Sequence, residues 1–309
     1  GSYTIIKEDE GTELLEDKVK EAVASAIMSL SESVNLEEQG CYLSPAVTSG
    51  DEALNTACES MNRYVGAKIT YKFGDRSETL SGNEIHNWLT VNGTSVGVSE
   101  TKAAEYVKNL ASTCNTAYKP KTLKTSYGKT VTITTGNYGW KIDQSAETAQ
   151  LSKEIQSGTQ TTREPVFSQT ANAYGVNDLG NTYIEVDLSE QHMYYYQNGA
   201  DIFESDFVSG NMSYADRQTH AGIFTLYYKK SPDVLRGGQK GTANYYEQPV
   251  QYWMPFDGGI GFHDADWRDE FGGDIYRTSG SHGCINLPPE NAAVLYDLIQ
   301  YDVPIVCFY

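Results

Sequence analysis

Apolar residues at Leu15, Val19, Ala22, Val23, Ala26, Ile27 and Leu30 recur every three or four positions, which is the period of one helix face. The same period returns over 51–64, where Leu54, Ala57, Cys58, Met61 and Val65 form a stripe. Ser99 can cap a third helix carrying Ala103, Tyr106, Val107 and Leu110. A fourth is predicted from about Ser145 to Gln156, stopped by Gly158. Between them, 67–73 alternates as a strand, and two β-rich runs flank Tyr127-Gly128 within 123–135, a hairpin signal. This half is predicted to be mixed α+β.

The texture then changes. Residues 168–181 are polar and rich in Gly and Asn, and read as a linker. Beyond it, 182–188, 191–196 and 202–208 alternate around a turn at Asn198-Gly199, and 223–228, 251–254, 260–263 and 305–309 add strands. One clear helix opens at Pro288-Pro289-Glu290 and turns Val294, Leu295 and Leu298 to one side. Many short strands with a single helix predict a mainly β domain, a sandwich or a barrel. The expected organisation is a domain over 1–167, a linker over 168–181 and a second domain over 182–309, which suits a chain of 309 residues.

No apolar run reaches the roughly 18 residues of a membrane span. The opening Gly1-Ser2 reads as a cleavage scar, so any leader or anchor belongs to a segment outside this sequence. The net charge is −18; from residue 176 onward there are 19 acidic and 7 basic side chains. Such a surface repels phosphate backbones, which excludes nucleic acid as an expected partner. The five cysteines contain no CxxC pair, and no metal site or cofactor is expected. Cys307 and Cys58 read as core thiols, Cys41 and Cys114 are unplaced, and a Cys41–Cys58 disulfide stays open.

The candidate chemistry lies near the C-terminus. Seventeen residues separate His263 from the run Ser281-His282-Gly283-Cys284-Ile285-Asn286. A neighbouring imidazole favours the thiolate and makes cysteine a nucleophile. Glycine before the cysteine implies a tight turn whose N–H groups can bind an oxyanion. Cys284 is therefore the candidate nucleophile, and His263, at a strand end, the candidate base.

This constellation resembles the active-site motif of the L,D-transpeptidases: a histidine, a gap, then Ser/Thr-His-Gly-Cys, a hydrophobic residue and Asn. The resemblance implies a β-rich catalytic domain at roughly 180–309. It implies attack by Cys284 on the third residue of a peptidoglycan stem peptide, loss of the terminal D-residue, and transfer to an acceptor amine as a 3→3 cross-link. His282 would help shape the oxyanion site or act as a second base, with donors from the N–H groups of Gly283 and Cys284. The partner fixing the His263 tautomer would be the Asp264 carbonyl, with the Asp264 carboxylate as an alternative. Ser281 and Asn286 are supporting residues of the turn. Carbapenems are implied as covalent inhibitors, and the extracellular face of the cell envelope as the location, with a membrane anchor in the full-length protein. Segments such as 136–143 and 163–167 are similar to a peptidoglycan-binding module that precedes these domains in Gram-positive bacteria, for which a spacer role is an equal alternative.

Other readings of the same residues are an L,D-carboxypeptidase, in which water resolves the thioester, and a non-catalytic wall-binding scaffold. A cysteine phosphatase requires an Arg about six residues past the cysteine, where Glu290 stands. A sortase requires Thr before its cysteine and an Arg, and here Gly283 precedes Cys284. Trp253 and Tyr276, with Phe262 and Trp267, either wall a peptide groove or pack in the core. His86, His192 and His220 show no partner pattern.

Overall fold

The computed structural model describes residues 1–9, 11–242 and 245–309. The chain forms two compact units: one of Gly1–Tyr71, Glu78–Tyr106 and Thr148–Arg163, the other of Lys72–Ser77, Val107–Glu147 and Glu164–Tyr309.

In the first unit, helices Glu16–Met28 and Glu52–Val65 follow the apolar stripes read from the sequence. Asp51 caps the latter by accepting from the Leu54 N–H at 2.9 Å. Strand Lys68–Phe73 lies in a small sheet between Arg76–Ser81 and, in parallel, Gln160–Arg163. Arg163 grips Glu154 through two bonds of 2.9 Å.

The second unit is β-rich. A five-stranded sheet runs in the order β3-β2-β1-β10-β4, with β1 Tyr183–Asp187, β2 His192–Gln197, β3 Ala200–Asp206, β4 Gly222–Thr225 and β10 Pro304–Phe308. A hairpin joins β5 Asp233–Gly237 to β6 Tyr246–Val250. A three-stranded sheet runs β7-β8-β9, with β7 Trp253–Asp257, β8 Ile260–Asp264 and β9 Ile285–Leu287. Helix α1, Pro289–Leu298, starts on a proline whose missing N–H costs nothing in the first turn. Both sheets are open, so of the two β architectures expected the layered one is present, without a closed barrel.

The two sheets and α1 share one core. Ile184, Val186, Phe207, Met254, Phe256, Phe262, Ile285, Leu287, Leu295 and Ile305 all meet there. The alternate residues of β10, Val306 and Phe308, face the other way into a second cluster with Leu123, Ile133, Tyr138 and Leu179. A strand buried on both faces must be apolar throughout, which explains the unbroken run at the C-terminus.

That second cluster takes in part of the 168–181 stretch read as a linker. Leu179 is fully buried, and Asp178 pairs with Lys121 at 3.2 Å with both side chains almost wholly enclosed. Lys121 also donates to the Thr116 carbonyl at 2.7 Å. Glu185 of β1 accepts from the Ser126 N–H at 2.9 Å and hydroxyl at 3.0 Å, so the hairpin at 121–133 is tied to the sheet. Burial holds the Glu185 carboxyl above its ordinary range. All five cysteines are free thiols, so no disulfide joins Cys41 to Cys58: Cys41 Sγ lies against the Gln39 carbonyl and Cys58 Sγ against that of Tyr3.

Removing one partner of a buried ion pair strands the other charge. Asp178→Ala is therefore expected to lower stability by about 3–5 kcal/mol, and Lys121→Met combined with Asp178→Leu to recover most of it. Urea denaturation of the parent and both variants checks this; a single variant within about 0.5 kcal/mol of the parent would show that the pair is not structural.

Candidate active site

Two adjacent parallel strands build the site. In β8 the alternation sends Phe262 into the core and His263 to the opposite face; in β9, Ile285 and Leu287 point inward and Asn286 outward. The register pairs Phe262 with Ile285 and His263 with Asn286, so the imidazole and the carboxamide lie side by side. Cys284 immediately precedes β9, at the end of the turn 281–284.

The turn is tied from within and from below. The Ser281 hydroxyl donates to the Cys284 carbonyl at 2.6 Å and accepts from the Gly283 N–H at 2.9 Å. Thr219 donates to the Gly283 carbonyl at 2.6 Å and accepts from the Gly210 N–H at 2.9 Å. Gly283 has φ +129, a conformation closed to ordinary side chains, and an added Cβ would press on Ile260 at 3.2 Å. The Gly283 N–H, expected as an oxyanion donor, is bonded to the Ser281 hydroxyl in this structure. The Cys284 N–H takes no part in the turn's own bonds, and among the described residues it has no hydrogen-bond partner.

The turn opens on a cavity of about 300 Å³ lined by His263, Trp267, Arg268, His282, Cys284 and Asn286, and across from them by Leu235, Tyr246 and Gln248. His263 is buried and held at both nitrogens, Nδ1 at 2.8 Å from the Asp264 carbonyl and Nε2 at 2.9 Å from Asn286 Nδ2. The Asp264 carboxylate is engaged elsewhere, accepting from the N–H groups of Gln251 at 2.8 Å and Tyr252 at 2.7 Å. Of the two alternatives for orienting His263, the carbonyl is therefore in place. Asn286 holds the ring as well as the loop. His282 is exposed and lies against Tyr246, ring centroids 4.9 Å apart.

Cys284 and His263 are not hydrogen-bonded to each other. The thiol donates instead to the Gly259 carbonyl at 3.5 Å. Burial pushes the Cys284 thiol up to about 11, partly opposed by a backbone hydrogen bond from Gly261. Burial also lowers His263 below the usual imidazole range, and the Arg268 cation adds to this against the pull of Asp264. His282 is lowered by burial and by Arg217. Both shifts favour the uncharged forms, the protonated thiol and the neutral imidazole. The arrangement offers a thiol nucleophile, an imidazole that can take its proton during attack, and a free N–H at the cysteine for developing oxyanion charge.

Family models match at both ends of the chain. Residues 181–307 match the L,D-transpeptidase catalytic domain, and 47–163 match a model described as "Putative peptidoglycan binding domain". A crystal structure of an Enterococcus faecium L,D-transpeptidase, a cysteine-to-serine mutant, is 36% identical, covering 81% of this chain and 98% of its own at a TM-score of 0.65. The chain belongs to the L,D-transpeptidase family. A second structure, the Ldtfm–avibactam carbamoyl enzyme, is 35% identical, with 83% and 99% covered and a TM-score of 0.67. No curated protein matches.

For this L,D-transpeptidase, two aromatic residues left open between groove wall and core packing are enclosed. Trp253 and Tyr276 are buried and do not line the cavity; Trp253 packs on His263 with centroids 6.0 Å apart and donates to the Tyr228 hydroxyl. The aromatic residues that do line it are Trp267 and Tyr246. Sequence reading missed Tyr246, Leu235 and Gln248, because the β5–β6 hairpin mixes Arg, Gln and Pro into its strands and shows no alternation. His192 and His220 have carboxylate partners, Asp206 at 2.6 Å and Asp257 at 2.7 Å, and lie outside the cavity.

A thiol shifted upward is unreactive while protonated, so its alkylation tracks its ionisation. Alkylation of Cys284 by iodoacetamide, followed by peptide mapping, is expected to keep rising with pH towards about 11. A plateau reached below about pH 7, in the range of activated cysteines, would contradict a neutral resting pair.

Proposed function

We propose that this L,D-transpeptidase forms 3→3 peptidoglycan cross-links through a Cys284 thioester. The reading is supported most directly by the β8–β9 register, which gives the His263 imidazole and the Cys284 turn a common cavity. In it, the Cys284 sulfur attacks the carbonyl of the third residue of a donor stem tetrapeptide while His263 Nε2 takes the thiol proton. The tetrahedral oxyanion receives the Cys284 N–H, with His282 at the same rim. Collapse breaks the peptide bond; His263 returns the proton to the departing amine, and the terminal D-residue leaves. The side-chain amine of an acceptor stem then attacks the thioester, gives its proton to His263, and expels the Cys284 sulfur, which recovers a proton as the new amide forms.

The enzyme acts at the cell wall. We assign residues 1–167 a peptidoglycan-binding or spacing role on the strength of the family match over 47–163. Among the described residues no helix is long and apolar enough to cross a membrane.

A β-lactam carbonyl is an acyl donor of the same kind, and a relative has been solved as a carbamoyl enzyme formed with avibactam. A carbapenem is therefore expected to give one covalent adduct, on the peptide carrying Cys284. Cys284→Ala is expected to fold, to lose the adduct, and to lose turnover by roughly a thousandfold or more. Intact-protein mass spectrometry with peptide mapping decides it; an adduct on Cys58, the other half-exposed thiol, or near-normal turnover by the variant would refute the reading.

A further inference from the structure

The His263 ring is held by a chain of hydrogen bonds that begins outside the Ser281–Asn286 run. A carbonyl oxygen can only accept, so the bond to Asp264 places the ring hydrogen on Nδ1 and a lone pair on Nε2. Asn286 must then offer its NH₂ to Nε2. What keeps the carboxamide from turning over lies at its other end. Arg268 Nε donates to Asn286 Oδ1 at 2.9 Å, and a guanidinium has no acceptor to offer an inverted amide. Arg268 is itself fixed by Nη1 donating to the Ser279 carbonyl at 3.0 Å. Among the described residues no carboxylate comes within ion-pair distance of this half-buried cation.

We propose that Arg268 is a positioning residue for the base: through the Asn286 carboxamide it imposes the Nδ1–H tautomer on His263 and keeps the Nε2 lone pair occupied until substrate displaces Asn286. This rests on His263 being the base of the proposed reaction.

Without Arg268 the carboxamide is free to turn and present Oδ1 to Nε2, which favours a hydrogen on Nε2. Loss of the nearby cation also favours the imidazolium. The other charged and titratable groups around the ring are the Asp264 carboxylate on its own strand and Cys284, His282 and Tyr246 around the cavity. None of these changes in an Arg268 variant. Arg268→Gln keeps a donor for Oδ1 without the charge; Arg268→Met removes both.

The experiment is a ¹⁵N-histidine NMR titration of the whole protein and both variants, with His263 assigned by its absence in His263→Gln, alongside the pH profile of carbapenem acylation. In the parent, Nε2 is expected to be unprotonated and Nδ1 protonated at neutral pH. In Arg268→Met, the His263 titration and the acid limb of the acylation profile are expected to move up together by roughly one unit or more, with Arg268→Gln moving less and keeping the tautomer. A protonated Nε2 in the parent overturns the proposal. So does an Arg268→Met protein with the parental tautomer and titration, including one whose rate falls equally at every pH. If Arg268→Met does not fold, the parent spectrum and Arg268→Gln decide. Failure of the parent to acylate at Cys284 would instead count against the proposed reaction, leaving the tautomer measurement intact.

Discussion

The parallel pairing of β8 with β9 is the constraint on which the site depends. Parallel neighbours cannot be joined by a tight hairpin and need a long crossover. Here residues 265–284 make it, and the crossover holds nearly all of the gap after His263 together with the Ser-His-Gly-Cys run that ends it. The register then does the positioning. With Phe262, Ile285 and Leu287 locked into the core, His263 and Asn286 have only the opposite face to occupy, and a slip of one residue would turn both into the apolar core. The crossover also carries Trp267 and Arg268 past the same face, so the segment that connects the strands furnishes one wall of the cavity.

That geometry produces a site at rest. The thiol bonds to Gly259 and the imidazole to Asp264 and Asn286, and low polarity keeps both uncharged. A neutral pair suits a reaction in which proton transfer accompanies attack, since no buried charge need persist between turnovers. In the proposed reaction His263 Nε2 would exchange its Asn286 bond for the thiol, both of which face the same cavity of about 300 Å³.

The candidate residues that meet at the cavity could be picked out because they are either adjacent, as in 281–286, or at a strand end, as with His263. The helices of the first half were legible through their apolar period, which needs only local information. What escaped depends on contacts between residues far apart in the chain. Residues 168–181 look solvated because Gly and Asn dominate, yet Lys121 neutralises Asp178 and the sheet covers Leu179. The β5–β6 hairpin shows no clean alternation because its strands carry Arg236, Gln248 and Pro249. Arg268 stands outside the motif, and only the fold brings its guanidinium to Asn286.

Product analysis tests the central claim, acyl transfer from Cys284 to an amine, most directly. Purified disaccharide-tetrapeptide incubated with the enzyme should give, by mass spectrometry, a dimer lighter than two monomers by one D-residue, linked between third residues, with a transient thioester on the Cys284 peptide. Tripeptide as the sole product would mean that water is the acceptor, and a dimer formed without any thioester on Cys284 would contradict the account.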